Sequence, residues 1–193
     1  MLHQLGNVAT VRTATIFREQ SPKEDPVGNV RALTIKDVAG NWPYNFENLH
    51  RINIGNELLG NCLKNGEILI PSRGDHYPAR YFNGSETNIF PIGQINIITP
   101  TTALHGRYLS WYLNQPAAQA AIERVLTGSN IKALNKPSLL EIPIYVPPIN
   151  TQHKICKLQE MLAESRLLRN RLLTLEEIEV EGVCKNLINK EKG

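Results

Sequence analysis

From Thr151 to about Ile188 the chain has no proline and a single glycine, Gly182. Within that stretch Leu158, Met161, Ser165, Leu168, Leu172 and Leu175 recur at spacings of three and four, with Glu, Lys and Arg between them. Apolar residues at that period line one face of an α-helix, so the pattern predicts one helix of roughly 35 residues, about 50 Å long at 1.5 Å per residue. A helix that only covers a small core does not need that length. The stripe therefore predicts pairing with another long helix, although Ser165 and Gly182 interrupt it and Leu162, Leu167 and Leu173 widen it. The plainer alternative is a terminal helix lying along its own domain.

Ahead of this helix, Pro143, Pro147 and Pro148 punctuate Ile142-Pro-Ile-Tyr-Val-Pro-Pro. A segment short of N–H donors is confined to an edge strand or an extended connector. The expected division is therefore a domain over 1–149 and a helical segment over 150–193, with Thr151 as a plausible N-cap. The first part reads as mixed α/β. β-favouring runs at Val30–Ile35, Glu67–Pro71, Ala79–Phe82 and Ile89–Ile98 are separated by turn residues such as Asn65-Gly66 and Asn83-Gly84. Helical spacing follows over Leu104–Asn114. Pro116 can open a second helix over Ala117–Leu126, and Asn135 with Pro137 a third, short one.

With 41% hydrophobic and 20% charged residues, the composition is that of an ordinary globular protein. No apolar run is long enough to span a bilayer, and the first residues, MLHQLGNVAT, lack the pattern of a secretory signal. Cys62, Cys156 and Cys184 are odd in number and far apart, which fits reduced thiols in a cytoplasmic protein better than a disulfide framework. No Cys/His spacing suggests a metal site. The net charge of +3 comes from 21 basic and 18 acidic residues, with no basic tail. Any phosphate-binding surface must therefore be assembled by folding.

Catalytic patterns are missing. His3, His50, His76, His105 and His153 are scattered with no nearby partner at catalytic spacing, no serine sits in a Gly-x-Ser-x-Gly setting, and Asp25, Glu67 and Lys64 make no nuclease-like array. Asn41-Trp42-Pro43-Tyr44 resembles the Asn-Pro-Pro-Tyr tetrapeptide of adenine methyltransferases. Without a glycine-rich nucleotide loop upstream, it reads as a turn carrying an aromatic side chain. Tyr108, Trp111 and Tyr112 could stack on bases, but their helical spacing favours a core face. Ser72-Arg73-Gly74 forms a turn after a strand and presents an arginine, the side chain best suited to a guanine edge or a phosphate. A solvated or ion-paired arginine is the alternative there. In Thr127-Gly-Ser-Asn-Ile-Lys-Ala-Leu134, small polar residues precede Lys132 and expose backbone N–H groups suited to phosphate, although such loops also serve as simple connectors.

Thr127 to Ile155, running Thr-Gly-Ser-Asn-Ile-Lys-Ala-Leu-Asn-Lys-Pro-Ser-Leu-Leu-Glu-Ile-Pro-Ile-Tyr-Val-Pro-Pro-Ile-Asn-Thr-Gln-His-Lys-Ile, resembles the end of a target recognition domain in type I restriction–modification specificity subunits. The shared features are the loop, a short helix, the Ile-Pro-hydrophobic-Pro-Pro strand, and then a glutamine, a basic residue and an isoleucine opening a long helix. Tyr108-Leu-Ser-Trp-Tyr-Leu-Asn-Gln, Gly66-Glu-Ile-Leu-Ile-Pro-Ser-Arg-Gly74 and Val30–Val38 resemble upstream parts of the same family. Family members usually carry two such domains and two such helices, whereas this sequence holds one of each.

The resemblance implies an α/β target recognition domain followed by a coiled-coil-forming helix. It also implies a non-catalytic subunit that binds double-stranded DNA, contacts one half-site and takes no cofactor. Its partners would be a modification subunit that methylates adenine at N6 and, optionally, a restriction subunit. The expected DNA contacts are Ser72, Arg73, Ser129, Asn130 and Lys132, with Lys36, Arg80 and Lys136 beside them. Leu158, Met161, Leu168, Leu172 and Leu175 are expected to form a homodimer seam, since only one helix is present. The competing readings are a stand-alone enzyme, a non-DNA interaction module built on the helix, and an inactive fragment.

Overall fold

A computed structural model describes residues 1–17, 22–40, 42, 45–128 and 132–191. Its central element is a four-stranded antiparallel sheet in the order β2 (Ala9–Thr13), β8 (Ile95–Pro100), β5 (Ile68–Pro71) and β6 (Arg80–Tyr81). All of β5 is buried, as are Ile95, Asn96, Ile97 and Ile98 of β8. Strands covered on both faces read as continuous apolar runs, which is why these segments show no alternation. Each isoleucine buried here contributes about 1.5–3 kcal/mol of transfer energy.

A three-stranded sheet holds β3 (Val30–Leu33) between β4 (Arg51–Ile52), antiparallel, and β7 (Ile89–Pro91), parallel. Successive strand residues face opposite ways. Leu33 and Ile89 therefore join the core with Leu69, Phe82 and Ile97, and Val30, Ala32 and Phe90 form a second cluster with Ile52 and Ile54.

The sequence suggests one strand over Ile89–Ile98, but the structure makes two in different sheets. Gly93, at φ +83°, turns the chain between them. The expected strand Val30–Ile35 also ends early. The Asp37 carboxylate accepts from the Thr34 amide at 2.8 Å and hydroxyl at 2.7 Å, and this capping box starts α1 (Ile35–Ala39).

Three helices fall where the periodicity predicts: α2 (Gly106–Leu113), α3 (Pro116–Val125) and α4 (Lys136–Leu140). Pro116 sits in the first turn of α3, and the Asn135 side chain accepts from the Ser138 amide at 2.8 Å to cap α4. β9 (Pro143–Tyr145) pairs antiparallel with β1 (Leu2–Gln4) in a two-stranded sheet. The proline-rich segment is thus an edge strand, and its partner is a segment the sequence did not mark as a strand.

Among the described residues, one charge is deeply buried. Glu67, 2% exposed, accepts from Arg12 at 3.0 Å, from the Thr99 hydroxyl at 3.1 Å and from the Lys64 amide at 2.8 Å. Both carboxylate oxygens are therefore satisfied, as a buried charge requires, and the pair ties β2 to the start of β5.

The last element, α5, spans Ile149–Glu191. It opens two residues before the expected Thr151 cap, because the Pro148 carbonyl already accepts the amides of Thr151 and Gln152. Contacts divide the chain into two units, Met1–His153 and Lys154–Gly193. In the second, Leu158, Met161, Leu168, Leu172 and Leu175 are all exposed.

Candidate nucleic-acid interface

The Ser72–Gly74 turn leaves β5 with Gly74 at φ +122°, a backbone conformation that an L side chain rarely adopts. The Ser72 amide donates to the Gln94 carbonyl at 2.9 Å, and its carbonyl accepts from the Leu134 amide at 2.9 Å. The Gly74 amide donates to the Lys132 carbonyl at 3.3 Å, and Arg73 and Ala133 form an antiparallel bridge. Thr127 and Ala133 exchange amide–carbonyl bonds of 3.0 and 2.8 Å, which closes the neck of the second loop. The fold thus brings together two polar segments that are far apart in sequence.

Two side chains behind the surface hold it in place. The Tyr77 hydroxyl donates to the Lys132 carbonyl at 2.8 Å. Burial, and then the Asp75 carboxylate, raise the Tyr77 pKa above the ordinary phenol value, so the hydroxyl remains a donor. The fully buried Asn96 amide donates to the Leu134 carbonyl at 2.8 Å. Neither residue was singled out from the sequence. Asn96 had a signal, as the one polar residue in Ile95-Asn-Ile-Ile98, and Tyr77 had a weaker one in the extended dipeptide Tyr77-Pro78.

Of the expected contact residues, Arg73 and Lys132 stand exposed on these joined segments, with Ser72 half-buried between them. Lys136 is exposed at the first position of α4. Ser129 and Asn130 lie outside the described residues, as do Asn41, Pro43 and Tyr44.

Lys36 and Arg80 are placed elsewhere. Lys36 lines a cavity of about 430 Å³ with Glu24, Asp37 and His50, where two carboxylates would oppose a phosphate. The Arg80 guanidinium donates to the carbonyls of Val38 at 3.0 Å and Gly40 at 2.6 Å. It thereby closes the C-terminal end of α1, and burial lowers its pKa.

The aromatic cluster is a packing face. Tyr108 is 1% exposed and donates to the Tyr145 carbonyl at 2.7 Å. Trp111 and Tyr112 pack beside it, with ring centroids 5.7 and 6.1 Å away.

The glutamine near the start of α5 is a buried clamp. Gln152, 0% exposed, accepts from the His105 amide at 2.8 Å. It donates to the carbonyls of Ala103 at 3.0 Å and Pro147 at 2.8 Å. Among the described residues, no group of three or more His, Cys, Asp and Glu side chains could hold a metal ion. No helix among them is long and apolar enough to cross a membrane.

This architecture is similar to that of solved specificity subunits. The S subunit of the type-I restriction-modification system from M. genitalium matches with a TM-score of 0.58 at 15% identity, over 85% of this chain and 39% of that one. The HsdS subunit from Thermoanaerobacter tengcongensis matches with a TM-score of 0.59 at 17% identity, over 86% of this chain and 37% of that one. A chain from a structure of type I R-M system assembly and conformational transition matches with a TM-score of 0.64 at 17% identity, over 95% and 43%. This chain therefore spans less than half the length of each of these structures. No curated protein matches it. The model of the type I restriction modification DNA specificity domain matches residues 2–177, and on that match the chain belongs to this family.

Proposed function

We propose that this protein is a sequence-reading subunit of a type I restriction–modification system, binding one half-site of double-stranded DNA for a partner that methylates adenine at N6. A restriction subunit would join the same assembly. The observation that supports this reading is the backbone bonding of the Ser72–Gly74 turn to the Lys132 segment, which joins two segments that each carry an exposed basic residue, Arg73 and Lys132. Phosphate contacts set register and orientation on the duplex, and arginine is the side chain best suited to a guanine edge. The chain performs no chemistry itself in this scheme.

Its second unit would join two copies. A helix with Leu158, Met161, Leu168, Leu172 and Leu175 in water forgoes about 1.5–3 kcal/mol of burial for each side chain. A second α5 would cover them, and two-fold symmetry then yields an interrupted palindrome as the target. Light scattering should give about twice the monomer mass, and the double variant Leu168→Glu, Leu172→Glu should shift it toward one.

DNA reading is tested by selecting duplexes from a random library with the purified protein and titrating the winners at several salt concentrations. One enriched motif, with affinity falling by about 0.9 power of salt per phosphate contact, is expected. No enriched motif and no salt-sensitive DNA binding would instead favour an interaction module that does not touch DNA.

A further inference from the structure

β6 is the outer strand of the four-stranded sheet, and beside it lies a cavity of about 370 Å³ that plays no part in the reading above. Ligand sites run from about 300 to 1,000 Å³, so this one has room for a single small molecule. Trp42, which follows α1, Arg80 and Tyr81 of β6, and Arg107 of α2 line it. Its frame is fixed. The Ser110 hydroxyl and the Asn114 amide both donate to the Ala79 carbonyl, at 3.0 and 2.7 Å, and tie α2 to the start of β6.

Two properties restrict what the cavity accepts. The first is charge. Two guanidiniums line it and, among its described lining residues, no carboxylate does. Arg80 donates to backbone carbonyls, dipoles that leave its positive charge uncancelled. A wall of one sign favours a ligand of the other. The second property is flatness. The Trp42 ring is braced edge-on by Phe46, with centroids 5.7 Å apart at 82°, and Phe46 is braced in the same way by Phe82. The Arg107 guanidinium lies over the Tyr81 ring, 5.2 Å from its centroid. Aromatic rings and arginine planes are the surfaces on which nucleobases stack.

We propose that this cavity binds a single nucleotide, its base stacked on Trp42 and its phosphate held by Arg107. An inorganic anion would leave the aromatic wall in water, and a neutral arene would leave the arginines unmatched. The choice of a nucleotide over another aromatic phosphate rests on the reading of this chain as a DNA-binding subunit. Two sources offer the same chemistry: a free mononucleotide, and a nucleotide swung out of a duplex held at the Arg73–Lys132 surface. Arg80 pairs with Leu69, three residues before Ser72. That is about 10 Å along a strand, which brings the cavity within reach of a duplex held at that turn.

The test is calorimetric titration of the full chain with the four deoxynucleoside monophosphates, and with inorganic phosphate and phenyl phosphate as controls. A nucleotide should bind at least about tenfold more tightly than either control. Trp42→Leu and Arg107→Gln should each weaken it about tenfold. Asn83 lines the same cavity, is exposed, and accepts from the Ser85 amide at 3.1 Å. Asn83→Asp therefore keeps that bond and the fold while adding a negative charge, and should weaken nucleotide binding as well. A duplex with one unpaired nucleotide beside the selected motif separates the sources. Tighter binding than the fully paired duplex, lost in Asn83→Asp, assigns the extruded nucleotide, and equal binding beside a bound mononucleotide assigns the free one. Controls that bind as tightly as nucleotides, or nucleotide binding unchanged in Asn83→Asp, overturn the site. It is also overturned if no mononucleotide binds and the unpaired nucleotide adds nothing; salt-sensitive duplex binding that persists in that case leaves the DNA reading standing. Nucleotide binding without duplex binding keeps the site and removes the DNA reading.

Discussion

The Tyr77 hydroxyl and the Lys132 carbonyl meet at 2.8 Å across 55 residues of chain. Tyr77 is 4% exposed, so the bond lies beneath the surface that presents Lys132. The same carbonyl also accepts from the Gly74 amide. The lysine's backbone is thereby tied to the turn that carries Arg73, and this makes two loops one surface.

Tyr77→Phe keeps the ring and removes that bond. The Lys132 carbonyl retains the Gly74 amide, so the expected stability loss is modest, about 1 kcal/mol in urea denaturation. DNA affinity should fall as well, because the lysine then samples more positions. Unchanged affinity would mean that the backbone bonds alone hold the loop.

Lys132→Ala should weaken binding about equally on all sequences and lower the salt slope by roughly one unit. Arg73→Ala should cost about 1–3 kcal/mol on the selected motif and little on random DNA. Equal losses on both would make Arg73 a backbone-positioning residue. Melting curves must first show that each variant is folded, since Arg73 belongs to a bonded turn.

Gln152→Leu preserves volume but strands the His105 amide and the carbonyls of Ala103 and Pro147, which all bond to Gln152. Removing one partner from a buried polar network leaves the others unsatisfied, so a loss of about 2–4 kcal/mol is expected. Urea denaturation measures it. A loss below about 1 kcal/mol would mean that water replaces the side chain.

Much of this was legible in the sequence because local chemistry decides it. Pro116 and the Asn135 cap opened their helices where expected, and the three- and four-residue leucine spacing gave α5. The proline-rich run became an edge strand for want of N–H donors. What remained hidden depends on long-range pairing. No local signal says that Leu2–Gln4 will pair with Pro143–Tyr145, or that Ile89–Ile98 will be shared between two sheets. The candidate surface divides in the same way. Arg73 and Lys132 are visible as residue types in polar loops, but Tyr77 and Asn96 act through carbonyls that only the fold brings to them. Arg80 fits the sequence pattern of a DNA contact, yet its donors reach Val38 and Gly40.

His105 gives the unit Met1–His153 a dependence on pH. Burial lowers its pKa below the ordinary 6.5, and the charges of His153 and Arg107 add to the effect. The unfolded chain therefore takes up the proton first as pH falls through about 6.5, and stability declines from there toward the depressed folded value. Above that window this contribution is fully retained. His105→Asn, which removes the titrating imidazole at the N-cap position of α2, should show a smaller drop in melting temperature between pH 7.5 and 5.5 than the wild type. An equal drop would assign the effect to other groups.

Adenine methylation mapped across the genome of cells expressing this protein with a type I modification subunit tests the central claim most directly. A single new N6-methyladenine motif is expected, an interrupted palindrome that disappears with Arg73→Ala or Lys132→Ala. Unchanged methylation, or a new motif that persists in both variants, would contradict the claim that this surface reads DNA for the modification subunit.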